Sequence, residues 1–242
     1  MNGNHHGEEL TEQEAAADAS LLIASSLETT SQAITTLFRY VLTDEAVFNR
    51  LRAEIDSIVA VDVDEIDFSS LSELTYLDAC VQEALRIVPP APAGMSIPSL
   101  YIDQLKFCII GPPRTTGKGG AFIANHFIPS NTTISVPTWT IHRDPSNFLH
   151  PDAFIPERWL NTGPTILPHN PEAYIPFSVG YGACVGRQLA LQNIKYVNLH
   201  GTSGHYADYI VLRFIVCHLI RKFSIDIPKD FSLDAFDKSY KV

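Results

Sequence analysis

Phe177-Ser178-Val179-Gly180-Tyr181-Gly182-Ala183-Cys184-Val185-Gly186-Arg187 decides how the rest of the chain is read. Three glycines and one cysteine stand between a proline-rich approach and an apolar run from Leu189 that predicts the start of a helix. If Cys184 is a thiolate ligand, the composition has a physical purpose. Glycines let the backbone close round a large flat cofactor, and amides at a following helix terminus stabilise charge on sulfur. A buried structural cysteine beside a turn is the other reading of the same residues.

The segment resembles the heme-binding signature of the cytochromes P450, Phe-x-x-Gly-x-Arg-x-Cys-x-Gly, through Phe177, Gly180, Cys184 and Gly186. Gly182 stands where that family usually has arginine or histidine, a residue that helps to hold a heme propionate. Other family elements follow in order. Ser25-Ser26-Leu27-Glu28-Thr29-Thr30 resembles the central-helix motif Ala/Gly-Gly-x-Asp/Glu-Thr, with Ser26 in the usual glycine position. Glu83-Ala84-Leu85-Arg86 resembles the Glu-x-x-Arg element, and Pro156-Glu157-Arg158-Trp159 resembles the Pro-Glu-Arg-Phe-like segment. The resemblance covers only the C-terminal half of such a protein, in a fungal-like microsomal style. It implies a mainly α fold, the C-terminal part of the P450 fold with small β-hairpin sheets, and one partial domain over residues 1–242.

Composition narrows the field independently. Seventeen basic against 27 acidic residues give a net charge of -10 without a basic block, so nucleic acid is not an expected partner. Cys80, Cys108, Cys184 and Cys217 lie far apart and form neither a zinc-ligand pair nor a disulfide framework, which points to reducing surroundings. Met1 to Asp18 is polar and acidic, with no readable signal peptide or membrane anchor. Tyr209 to Ile220 is interrupted by Arg213 and His218, and Tyr101 to Ile110 falls short of the roughly 20 residues a span needs. Members of the microsomal type sit on the cytosolic face of the endoplasmic reticulum; a chain with no anchor is expected to be cytoplasmic if soluble.

In chain order, residues 1–10 are expected to be disordered. Thr11 with Glu14 can form a capping box for a long helix over about 12–42. Residues 44–60 predict a second helix through Val47, Leu51, Ile55 and Ile58. Ser70 with Glu73 can cap a third, in which Leu77, Val81, Leu85 and Val88 recur at helical steps, and Pro89 ends it. Alternation through Phe122, Phe127, Ile134 and Val136 predicts a small hairpin sheet. His142 reads as a turn or core contact rather than a base. Stretches 96–111 and 193–210 have no recognisable family counterpart and read as atypical insertions. A helix-like pattern returns in residues 211–223, followed by a strand-like Ser224-Ile225-Asp226-Ile227.

The resemblance implies heme b, with its iron held by the Cys184 thiolate and Phe177, Gly180 and Gly186 shaping the binding loop. Arg114 falls where the family places a propionate-binding arginine. Glu28 and Thr29 match the pair that assists proton delivery in dioxygen chemistry, since an alcohol can hold water while a carboxylate connects to solvent. Glu83, Arg86 and Arg158 match a buried structural network. The implied activity is monooxygenation: one oxygen atom of dioxygen enters a small apolar organic substrate, with electrons from NADPH-cytochrome P450 reductase or an equivalent donor. Two alternatives stand beside it. One is a truncated, catalytically inactive P450 fragment; the other is a module that binds heme without turnover.

Overall fold

The computed structural model describes residues 11–58, 70–90, 114–160, 169–180, 183–184, 186–187 and 210–239. Residues 1–10 and 96–111, most of 193–210 and the helix expected from Leu189 lie outside these, as does Gly182.

Helix α1 (Glu12–Val41) opens on the expected capping box. The Thr11 hydroxyl accepts from the Glu14 amide at 3.3 Å, and the Glu14 carboxylate accepts from the Thr11 amide at 2.9 Å. Both hydrogen bonds satisfy amides that have no partner within the helix. Its burial is lopsided: no residue before Ala33 is buried, whereas Ala33, Leu37 and Val41 form a stripe at four-residue steps. The N-terminal half exposes Leu21, Leu22, Ile23 and Leu27.

Helix α2 (Glu45–Ile58) starts at Asp44, whose carboxylate accepts from the amides of Ala46 and Val47 at 3.0 and 3.2 Å. Val47, Leu51 and Ile55 are its buried stripe.

The sequence places the next helix start on Ser70, and the structure corrects this. Ser70–Glu73 is a separate 3-10 turn, and helix α3 runs from Thr75–Ile87 with Leu74 at its N-cap and no side-chain cap of its own. The cap comes from α2 instead. Glu54 accepts from the Tyr76 and Leu77 amides at 2.7 and 2.9 Å and from the Thr75 hydroxyl at 3.2 Å. A carboxylate at this end also complements the helix dipole, so one side chain both caps α3 and fastens it to α2. Helix α3 is buried on nearly every side, from Tyr76 to Ile87, and is the axis of the core.

Two small antiparallel pairs follow. Strand β1 (Arg114–Thr115) pairs with β4 (Thr133–Ile134), and β2 (Ala121–Ile123) pairs with β3 (His126–Ile128), with Phe122 opposite Phe127. The two-residue β2–β3 loop, Ala124-Asn125, has φ of 49° and 64°, the left-handed pair that matches strand twist.

Helix α4 (Thr138–Arg143) leads into an irregular stretch with 3-10 turns at Pro156–Trp159 and Pro171–Ala173. Helix α5 (Ile210–Lys222) then returns to the core, burying Leu212, Val216, Cys217 and Ile220 against α1, α2 and α3. Its Arg213 forms an ion pair with Asp78 of α3. The strand expected at Ser224–Ile227 is absent. Ile225 and Ile227 do alternate inward, but no partner strand pairs with them among the described residues. A short helix, α6 (Leu233–Ser239), follows, tied to α1 where Arg39 binds the Asp237 carboxylate at 2.6 Å.

Candidate functional site

Glu83 stands at the centre of a buried network and accepts five hydrogen bonds. Its Oε1 accepts from Arg86 Nη2 at 2.9 Å, Arg158 Nε at 2.9 Å and the Ile155 amide at 3.0 Å. Its Oε2 accepts from Arg86 Nε at 2.9 Å and Trp159 Nε1 at 2.8 Å. The side chains of Glu83, Arg86 and Arg158 are all 0% exposed. Three-residue spacing on α3 brings Glu83 and Arg86 to one face. Arg158 reaches them from the 3-10 turn at Pro156–Trp159.

Both guanidinium groups also donate to backbone carbonyls, although Arg158 Nη1 is buried without a hydrogen-bond partner among the described residues. Arg86 donates to the carbonyls of His142, Pro151 and Ala153 at 2.8, 2.6 and 3.1 Å. Arg158 donates to Leu149 at 3.1 Å and His150 at 3.4 Å. Residues 144–155 have little regular structure, and the two buried arginines bond the carbonyls of Leu149, His150, Pro151 and Ala153 within them. The network therefore replaces a β-sheet or helix as the internal skeleton of this region.

Sequence reasoning singled out three members and missed Trp159 and Ile155; His142, read as a turn or core contact, is buried beside them. Trp159 adjoins Arg158 in the quoted motif, and an indole N–H beside a buried carboxylate is a signal that could have found it. His142 is fully buried, with Ile175 donating its amide to Nε2 at 2.9 Å and Nδ1 lying 3.1 Å from the Arg86 carbonyl. Burial pushes its imidazole down to about 4, so it is neutral near pH 7.

The Cys184 loop hangs from this skeleton. Phe177 packs against the core, and its carbonyl accepts the Cys184 amide at 2.8 Å. Between them the chain turns through positive φ at Ser178 (58°) and Gly180 (75°), with the Ala183 amide donating to the Gly180 carbonyl at 3.0 Å. Arg187 donates its amide to the Cys184 carbonyl at 3.2 Å, closing a further turn. A Cβ on Gly186 would stand 3.6 Å from Cys184 Sγ, in van der Waals contact, so glycine keeps that approach to the sulfur clear.

Among the described residues Cys184 is the exposed cysteine; Cys80 and Cys217 are buried. Burial pushes both of those thiols up, Cys217 to about 11, which leaves them inert packing groups. No group of three or more His, Cys, Asp or Glu among the described residues could hold an ion.

The other sequence-predicted residues are dispersed. Glu28 is exposed on α1, and the half-buried Thr29 donates its hydroxyl to the Ser25 carbonyl at 2.7 Å. No hydrogen bond or ion pair links either of them to Cys184 among the described residues. Arg114 opens β1 opposite Ile134.

The family model described as cytochrome P450 matches residues 1–99 and 110–200. The chain belongs to the cytochrome P450 family. It is 34% identical over 180 residues to the cytochrome P450 monooxygenase FCK2 of Fusarium pseudograminearum, covering 74% of this chain and 29% of that protein. The trichothecene C-15 hydroxylase of Fusarium sporotrichioides is 33% identical over 182 residues, 75% of this chain and 33% of that protein. Cytochrome P450 67 of Uromyces fabae is 30% identical and extends over 97% of this chain and 37% of its own length. A zebra fish cytochrome P450 solved with progesterone shares the fold with a TM-score of 0.65 at 24% identity, over 94% of this chain and 43% of that one. This P450 chain thus spans about a third of the length of these curated relatives. Membership implies a heme cofactor. None of the described helices is long and apolar enough to cross a membrane.

Proposed function

We propose that this chain carries the heme-thiolate half of a monooxygenase that inserts one oxygen atom from dioxygen into a small apolar organic substrate. The observation that carries this is Cys184: an exposed thiol on a glycine-turned loop whose carbonyl anchor, Phe177, is packed against the core. The residues present fit heme, because a single soft sulfur ligand suits an iron whose other donors come from the macrocycle. Heme, when bound, supplies the oxygen chemistry and takes electrons from a reductase of the NADPH-cytochrome P450 type.

The protein's part is ligation, shape and proton routing. Cys184 would hold the iron as thiolate, and the hydrogen bond from its amide to the Phe177 carbonyl anchors its backbone. Phe177, Gly180 and Gly186 would line the cofactor's side of the loop, and Arg114 would be the residue to balance propionate charge. Thr29 and Glu28, adjacent on α1, hold and pass protons: the hydroxyl positions water and the exposed carboxylate exchanges with solvent. Exposed Leu21, Leu22, Ile23 and Leu27 give the same helix an apolar surface suited to an apolar substrate.

The test is the carbon monoxide difference spectrum of the reduced, heme-supplemented chain beside Cys184→Ala. A thiolate-type band lost in the variant supports the reading, and substrate oxidation with a reductase extends it to turnover. A thiolate-type band without oxidation reduces the function to heme binding. No band, or one indifferent to Cys184, identifies an inactive P450 polypeptide.

A further inference from the structure

His142 links the buried ion network to the cysteine loop through both edges of one ring. Nε2 accepts the Ile175 amide and so carries no proton; the proton of the neutral ring sits on Nδ1, which faces the Arg86 carbonyl. Arg86 returns the bond, donating Nη1 to the His142 carbonyl at 2.8 Å. Residues 86 and 142 thus hold each other by side chain and backbone at once. The ring is also stacked on Tyr174, with centroids 5.5 Å apart and planes 23° apart, and meets Phe148 edge-on at 6.1 Å.

From Ile175 the chain needs two residues to reach Phe177, whose carbonyl accepts the Cys184 amide. The Ser178 amide donates to the Ile175 carbonyl at 2.9 Å, closing this strap into a single turn. Ile175 therefore has its amide fixed by His142 and its carbonyl fixed by the turn that presents Phe177.

We propose that His142 is a positioning residue for Cys184: fastened to Arg86, its ring holds the Ile175–Phe177 strap from which the cysteine loop hangs. The inference rests on the heme-thiolate reading for its meaning in catalysis, but the positioning concerns amides and is measurable without heme. Histidine suits the task because donor and acceptor lie on opposite edges of a rigid ring. Asparagine can reproduce only the Nδ1 side, toward Arg86, and glutamine only the Nε2 side, toward Ile175.

That asymmetry is the experiment. Amide hydrogen exchange at Cys184 is measured in the full, heme-free chain carrying His142→Asn or His142→Gln, with the α3 amides as internal reference. His142→Asn, which loses the bond to Ile175, is expected to speed exchange at Cys184 about tenfold relative to α3, the local cost of one lost hydrogen bond. His142→Gln, which keeps it, is expected to change exchange by less than about threefold. Equal acceleration in both variants, or none in His142→Asn, overturns the proposal. Should either variant fail to fold, Ile175→Pro removes the same N–H with His142 in place; Tyr174 already has the extended backbone (φ -84°, ψ 96°) that a following proline requires. Undisturbed exchange at Cys184 in Ile175→Pro likewise overturns it. Failure of the heme reading would show instead as a carbon monoxide spectrum indifferent to Cys184→Ala and would leave these exchange rates untouched.

Discussion

Glu83→Gln keeps the volume and shape of the network's centre and removes its charge. Oε1 and Oε2 together accept five hydrogen bonds, from Arg86, Arg158, Ile155 and Trp159. Turned to its best advantage, the glutamine oxygen takes over the three bonds of Oε1. Its NH₂ group then faces Arg86 Nε and Trp159 Nε1, two donors that meet a donor. Each stranded donor costs about 1–3 kcal/mol. Breaking a buried ion pair on one side costs about 3–5 kcal/mol by a separate route, because two fully buried guanidinium groups lose their counter-charge. The two estimates describe one effect and agree on roughly 3–5 kcal/mol, a large share of the about 5–15 kcal/mol that holds a domain folded. Urea unfolding followed by far-ultraviolet circular dichroism measures it; at a slope near 2 kcal/mol/M the midpoint falls by about 1.5–2.5 M. Arg158→Leu in the Glu83→Gln background should cost less than Arg158→Leu alone, because its partner is already gone. A midpoint shift under about 0.5 M, or an Arg158→Leu cost identical in both backgrounds, refutes the argument.

Acidification probes His142. Unfolded, its ring titrates near 6.5; folded, burial holds it at about 4. Above pH 6.5 neither state binds the proton, so this contribution is flat. As pH falls from 6.5 to 4 the unfolded chain takes up a proton that the folded one refuses, and stability drops by about 3 kcal/mol. The stability gap between the parent chain and His142→Gln should narrow by that amount over this window; a constant gap contradicts the burial argument. At the hairpin, Ala124 sits at φ 49°, a conformation costly to an L side chain. Ala124→Gly should stabilise the β2–β3 pair by about 0.5–1 kcal/mol, read as slower amide exchange over residues 121–128, and faster exchange would count against it.

Much of this fold is legible from local pattern. Leu37 and Val41 in α1, Val47, Leu51 and Ile55 in α2, and Leu77, Val81 and Leu85 in α3 recur at helical steps, and all are buried. Periodicity reports which face a helix hides, and these stripes are as read, but Leu21, Leu22 and Leu27, which carry the same pattern into the N-terminal half of α1, are exposed. What it cannot report is a partner from elsewhere in the chain. Ser70 and Glu73 have the spacing of a capping box, but the α3 amides are taken by Glu54, a helix surface residue in any sequence pattern. Ser224 to Ile227 has strand alternation, but no strand among the described residues pairs with it. The site divides in the same way. Glu83 and Arg86 lie three residues apart on one helix, and Arg158 belongs to a recognisable motif. His142 and Ile175 are 33 residues apart and speak to each other only through a ring buried by folding.

Helix α5 fills the last face of a core whose other walls, α1 to α3, end at Ile87. About 120 residues separate Ile87 from Ile210, and at roughly 5–20 residues per second a ribosome needs on the order of 6–25 s to deliver them. Throughout that interval the emerging chain shows the apolar seat of Leu212, Val216 and Ile220 to solvent, with Asp78 waiting for Arg213. This core is thus closed from behind: α1 to α3 depend on a helix that follows them by about 120 residues, and a nascent chain halted before residue 210 is a natural client for chaperones.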